Sequence, residues 1–223
     1  MKRLIIAIDG PSGAGKGTIA RTIAQHLGYR HIDTGAMYRA IGWSASREGV
    51  PLDSESTVAE LAGRADLVVE GGRVTIDGHD VTTAIRTPEM DKAAAAVARL
   101  PRVREALVER QRRLGAAGGV VMEGRDIGTV VFPDADVKIY LDASPEERAR
   151  RRASDPAHTG GLAGRAAVAE SIQARDRSDT TRTVSPLTVA PDAVHIDTTD
   201  MPIPAVVGRV IQLVQEKLDQ RSS

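Results

Sequence analysis

No cysteine occurs in the chain. That absence removes disulfide frameworks, thiolate nucleophiles and cysteine-ligated metals together, and it suits a reducing compartment. Aromatic residues are almost as scarce at 2%, so the stacking platforms on which single-stranded nucleic acids are held are hardly available. Net charge is missing too: 30 Lys and Arg balance 30 Asp and Glu, and no overall field draws the chain to a polyanion or an anionic membrane. Any anion site must be local. The apolar run from Leu4 to Ile8 is broken at Asp9, too short for a signal segment or a membrane span. The expectation is a cytoplasmic monomer with small-molecule partners, and with neither nucleic-acid nor membrane partners.

What is present is 223 residues at 41% hydrophobic, enough for one sizeable core carrying an insertion or a lid. Lys2 to Ile8 reads as a buried parallel strand, and a helix with apolar residues at Ile19, Ala20, Ile23, Ala24 and Leu27 follows it, stopped by Gly28. A short strand and turn at Ile32 to Gly35 precede a helix over 36–47, and a short helix over 53–64 is capped by Asp53 or Ser54. Between residues 66 and 86 the pattern changes: Val68, Val74, Ile76 and Val81 alternate around Gly71-Gly72 and Asp77-Gly78, the signature of a small β unit with hairpin turns. An Ala-rich helix (87–100), a second one restarted by Pro101, and buried strands at 120–122 and 137–141 come next. Ser144-Pro-Glu-Glu147 is a capping box opening a very basic helix with Arg148, Arg150, Arg151 and Arg152. A breaker-rich loop over 155–164, a helix over 166–179, a strand at 194–196 and an amphipathic helix over 203–218 with a fraying basic tail complete the chain. Strands alternating with helices predict an α/β fold: a parallel sheet covered on both faces, with ligands at the carboxyl ends of its strands.

One motif stands in the right place. Gly10, Pro11, Ser12, Gly13, Ala14, Gly15 and Lys16 fit GxxxxGK directly after a strand and directly before a helix. Glycines let successive amide groups turn around a phosphate, the helix start adds its positive end, and Lys16 supplies charge to β- and γ-oxygens. Gly17 stands where a Ser or Thr would ligate magnesium, with Thr18 one step later, so no protein metal ligand is expected and Mg²⁺ is expected to sit mainly on phosphates and water. The GKGT form resembles that of nucleoside-monophosphate kinases, and no NKxD guanine-reading motif occurs.

Three further charged groups fall near strand ends. Thr34 and Arg39 lie in DTGAMYR, where a solvated surface Arg39 is the plain alternative. Glu123-Gly-Arg125-Asp126 follows a buried strand, either serving a ligand or forming a structural salt-bridge cluster. Arg175, Asp179 and Arg182 stand at i, i+4 and i+7, two cations about one carboxylate; an exposed ion-pair ladder would share that spacing. Taken with the phosphate loop, they read as a clamp on a transferring phosphate and a ribose.

IDGPSGAGKGT, DTGAMYR, AIRT, PRVREAL, GRDIGTVVFPDA and RDRSDTTR occur in that order across nearly the whole chain, which resembles the bacterial cytidylate kinases. The resemblance implies a P-loop core (1–35, 87–147 and 166–223), a monophosphate-binding region with a small β insert (36–86) and a lid (148–165) in one kinase domain. It implies ATP as donor and CMP or dCMP as acceptor. It also implies roles for residues: Thr34, Arg104 and Asp126 on the cytosine, with Tyr38 beside them, Arg39, Arg125 and Arg182 on the acceptor phosphate, and Arg175 and Asp179 on the sugar. Lys16, Arg125, Arg175 and Arg182 are the implied catalytic set, with Arg148 and Arg152 as further candidates from the basic helix. Two departures stand out: Ala95 replaces a sugar-contacting Ser, which leaves CMP against dCMP open, and Glu123 replaces an Asp. The rival readings are a kinase for another monophosphate, a small-metabolite kinase of the shikimate type, and a nucleotide-sensing module without turnover.

Overall fold

The computed structural model describes residues 3–155 and 164–222. Five strands, β1 (Ile5–Asp9), β2 (Arg30–Asp33), β6 (Val120–Gly124), β7 (Val137–Asp142) and β8 (Val194–Asp197), form a sheet in the order β2-β6-β1-β7-β8. Every pairing in it is parallel. The central strand β1 is apolar on both sides because both faces are covered. Ile6, Ile8 and Val121 pack against α1 (Lys16–Leu27) and α8 (Ile203–Ser222), while Ala7, Val120 and Met122 pack against Val108 of α5 (Pro101–Gly115) and Ile127. The register brings Asp33 opposite Glu123 and Asp9 opposite Gly124. Three carboxylates thus end level at one edge, where a parallel sheet places its ligands.

The other expected elements form close to their sequence limits. Gly28 closes α1 in the left-handed region at φ 62°, donating to the Ala24 and Gln25 carbonyls. α2 (Thr34–Arg47) starts two residues before the expected 36, because the Asp33 side chain accepts from the Ala36 amide and caps it. Strands β3 (Leu67–Glu70), β4 (Arg73–Ile76) and β5 (His79–Asp80) make the separate antiparallel sheet that the 66–86 pattern predicts. Its apolar side joins α2 and α3 (Glu55–Arg64) in a cluster that extends past residue 86 into α4 (Pro88–Val97) and α5 through Val97, Val103 and Leu107. α6 (Pro145–Ala153) opens on the expected capping box, with the Ser144 hydroxyl accepting from the Glu147 amide. Instead of fraying, α8 continues to Ser222, and Arg221 in its last turn pairs with Asp136. α7 (Arg165–Thr181) follows the basic helix; of the loop expected between them, residues 156–163 lie outside the described residues. Among those described, no helix is long and apolar enough to cross a membrane.

One element was not legible: a π-type turn over Ile127–Val131 directly after Asp126. It is held from the centre of the sheet, since the two Asp9 carboxylate oxygens accept from the amides of Ile127 and Gly128 at 2.8 and 2.7 Å. Asp9 therefore ties the start of the glycine loop to the segment carrying Arg125 and Asp126. Burial pushes its carboxyl up to about 6 in spite of those two amides. The folded chain binds that proton more tightly than the unfolded chain does, so the ionised group works against the fold above about pH 6 and the penalty lifts as pH falls toward 4. The melting-temperature difference between the parent and Asp9→Asn should accordingly move in the parent's favour as pH drops from 7 to 4.5. A gap independent of pH would contradict the assignment.

Candidate active site

The phosphate loop is braced from below. A Cβ on Gly10, whose φ is 146°, would fall 2.0 Å from the Leu141 carbonyl oxygen, and one on Gly13, at φ 81°, would fall 2.8 Å from the Arg148 carbonyl oxygen. The loop therefore lies directly on β7 and α6, an approach that only glycine permits. Arg148 itself is buried. It donates to the carbonyls of Ala143 and Ser12 and pairs with Asp176 of α7 at 2.5 Å. Arg148 thus acts as a prop beneath the loop instead of reaching toward a transferring group. At the helix start, the Lys16 ammonium donates to the Pro11 carbonyl at 2.7 Å across the loop. Burial first, then the positive charge of Arg125, holds its pKa well below the ordinary lysine range, so this cation awaits an anion.

Gly17 acquires a reason. A Cβ there would sit 3.2 Å from a Glu123 oxygen, and that same oxygen meets His31 Nε2 at 2.9 Å. The glycine leaves room for a carboxylate, oriented by His31, to face the loop where a Ser or Thr hydroxyl would otherwise project.

An open cavity of about 1220 Å³ runs from this loop, between Glu123 and the segment 198–203, to Arg39, Arg125, Arg152 and Arg175. It is large enough for two nucleotide-sized ligands. Thr34, Tyr38, Arg104, Asp126, Asp179 and Arg182 are buried and do not line it. Arg104 pairs with Asp126 and stacks its guanidinium over the Tyr38 ring, 5.6 Å from the centroid. Arg182 stands 3.8 Å from Asp126 and 3.9 Å from Asp179. The Arg125 Nε donates to Asp179 at 2.8 Å, and the Thr34 hydroxyl donates to the Glu123 carbonyl at 2.7 Å.

The electrostatics follow from that crowding. Burial works against the charge on Arg125, but the Asp179 carboxylate more than restores it and lifts its pKa above the usual value. Arg175 and Arg182 are held low, by burial and then by the neighbouring guanidinium of Arg125 or Arg104. Burial pushes the Tyr38 phenol up to about 12. Arg39 Nε, Arg104 Nε, Arg175 Nε and Arg182 Nη2 are buried without a hydrogen-bond partner. Such groups are expensive to leave unmet, and four guanidinium nitrogens left so mark a place built for a polar ligand.

One rival reading falls, and one expectation needs correcting. Arg39 is no surface side chain: it is buried and pairs with Asp33 at 2.9 Å, which holds Asp33 at about 2 against its own burial. The 175/179/182 ladder does not form on one helix either. α7 ends at Thr181, Arg182 has extended backbone as its cap, and its Nε turns to the Ser185 carbonyl. Asp179 takes Arg125 from across the site in place of Arg175, which bonds Asp91 at 2.9 Å. Asp91 itself went unread in the sequence, as did Asp33 and Asp176. An acid in the first turn of α4 is ordinary helix-end chemistry, and only the fold shows Arg39 and Arg152 converging on it as well.

The cytidylate kinase family pattern matches residues 6–216. The chain belongs to the cytidylate kinase family. It is 51% identical over 214 residues to the cytidylate kinase of Pelotomaculum thermopropionicum, covering 94% of this chain and 95% of that one. It is 49% identical over 221 residues to the enzyme of the same name from Desulfitobacterium hafniense, covering 98% and 95%. Among solved structures, a shikimate kinase from Bacteroides thetaiotaomicron superposes with a TM-score of 0.52 at 12% identity, covering 95% of this chain and 98% of that chain. That likeness shows the shared P-loop kinase fold. The matched stretch includes both the glycine loop and Arg182.

Proposed function

We propose that the chain transfers the γ-phosphoryl group of ATP to CMP, and also to dCMP, giving the diphosphate and ADP. The observation that carries this reading is the placement of one phosphate-cradling loop and a converging set of partly unmet guanidiniums on opposite sides of one cavity, in a chain of the cytidylate kinase family. ATP lies with its phosphates on the amides of residues 10–18 and on Lys16. The acceptor phosphate lies on Arg39, Arg125 and Arg182, its sugar beside Arg175 and Asp179, and its base against Thr34, Arg104 and Asp126 with Tyr38 as a wall. Cytosine offers an amino donor beside two acceptors, so a carboxylate paired with a guanidinium answers it well.

An oxygen of the acceptor phosphate attacks the γ-phosphorus, and the bond from that phosphorus to the β,γ-bridging oxygen breaks. The attacking oxygen is already ionised at neutral pH, so the chain supplies no base. Lys16 and the arginines hold the two phosphates in line and offset charge on the transferring group. Magnesium, which needs hard oxygen ligands and keeps several waters, suits a single carboxylate facing the loop. Glu123, fixed by His31, would hold it through water, and the ion would supply further charge neutralisation.

Steady-state rates with CMP, dCMP, UMP and AMP test the reading directly. CMP should be preferred over AMP by at least about a hundredfold, since a site built to hydrogen-bond one base leaves its polar groups unmet with another. Equal rates with all four would remove the cytosine assignment, and transfer to a sugar or shikimate alone would favour the metabolite-kinase reading. Tight nucleotide binding with no turnover would leave a sensing module.

A further inference from the structure

The acceptor side contains a carboxylate that no substrate-binding role accounts for. Asp91, in the first turn of α4, meets Arg175 of α7 at 2.9 Å and Arg39 of α2 at 3.9 Å, and it pairs with Arg152 of α6. Guanidiniums from three different helices thus gather on one carboxylate that is only 15% exposed. All three arginines line the open cavity that the phosphate loop also lines. Both Arg39 and Arg175 keep a buried Nε without a partner. Guanidiniums this close repel one another unless an anion lies among them, and they match carboxylate and phosphate with the same planar fork.

We propose that Asp91 is an internal stand-in for the acceptor nucleotide, bonding Arg175 and Arg152 and drawing in Arg39 at longer range before CMP arrives, then releasing Arg175 to the sugar and Arg39 to the phosphate. This rests on the reading that Arg39 receives the acceptor's phosphate and Arg175 its sugar. Asp91 is then a positioning residue that opposes acceptor binding: it stabilises the empty arrangement, and every contact it keeps is one the ligand must displace. A merely structural ion pair would behave differently, because its loss would weaken the protein and the ligand complex alike.

The test compares the parent with Asp91→Asn, which keeps the shape and removes the charge. Three quantities are read: melting temperature without ligand, its shift with saturating CMP or inorganic phosphate, and the CMP dissociation constant by calorimetry. The variant should melt lower when empty, should gain more from either ligand than the parent does, and should bind CMP about tenfold more tightly, the worth of one charge-assisted hydrogen bond released to the ligand. In turnover the gain should appear in KM, with kcat equal or lower. CMP binding that is unchanged or weaker in the variant overturns the proposal. Should Asp91→Asn fail to fold, the parent labelled with ¹³C at its aspartate carboxyls reports the same exchange: the Asp91 resonance moves as CMP or inorganic phosphate is added, and a fixed resonance at saturation overturns the proposal. If the functional reading itself were wrong, the parent would show no CMP-induced shift in melting temperature at all, an outcome separate from a parent that shifts and a variant that shifts no further.

Discussion

Lys16→Met is expected to lower kcat about a thousandfold, the scale on which removing one preorganised charge from a transferring group is felt, while leaving the empty protein at least as stable as its parent. The two halves have one cause. The ammonium is buried at the start of α1 with a single carbonyl partner, and burial together with Arg125 disfavours its charged form. Near neutral pH the charge costs folding free energy that only a bound phosphate recovers, and methionine fills the same space without that cost. Activity by a coupled ADP-release assay and melting temperature without nucleotide check both halves. A variant that loses activity by unfolding would contradict the account, as would one that keeps more than a tenth of the parent's kcat.

The second large effect belongs to the buried pair of Arg104 and Asp126. Arg104→Met strands the Asp126 carboxylate at 8% side-chain exposure, with Arg182 at 3.8 Å the one cation left to pair with it among the described residues. Breaking such a pair from one side costs about 3–5 kcal/mol, which for a chain of this size corresponds to a fall of about 10 °C in melting temperature. Removing both partners should behave otherwise. Arg104→Met combined with Asp126→Leu replaces the charges by apolar volume and should recover most of the stability, since buried ion pairs are often matched by hydrophobic isosteres. It should recover none of the preference for CMP: kcat/KM should stay at least about a hundredfold down, because the groups that answer the base are gone. If the double variant regained CMP activity with its stability, Arg104 and Asp126 would be scaffold and not readers of the base.

The sequence displayed the fold well because the fold depends on short-range patterns. Apolar strands met glycine loops, caps such as Ser144 preceded their helices, and the Asp77-Gly78 turn sat inside alternating residues. The phosphate loop was legible for the same reason, since its amides, glycines and lysine are consecutive. Ion-pair partners were harder to read. Asp91 meets arginines 52, 61 and 84 positions away, and nothing local to α4 announces that meeting. The π-type turn was hidden likewise, since its anchor Asp9 lies 118 residues earlier. Spacing even misled at Arg182: Arg175, Asp179 and Arg182 share a helical period, yet the helix ends at Thr181 and Asp179 turns to Arg125 instead. Long-range electrostatics are fixed by how elements pack, and one chain read alone carries that only through a family's accumulated pattern.

The most direct test is a crystal structure with a bisubstrate analogue joining adenosine and cytidine through a polyphosphate. Phosphate oxygens are expected on the amides of residues 10–18 and on Lys16, guanidiniums of Arg39, Arg125 and Arg182 around the cytidine-side phosphate, and the cytosine edge opposite Arg104 and Asp126, with that cluster opened to admit it. An analogue whose cytidine half lay elsewhere, leaving the Arg104–Asp126 pair closed, would contradict this placement.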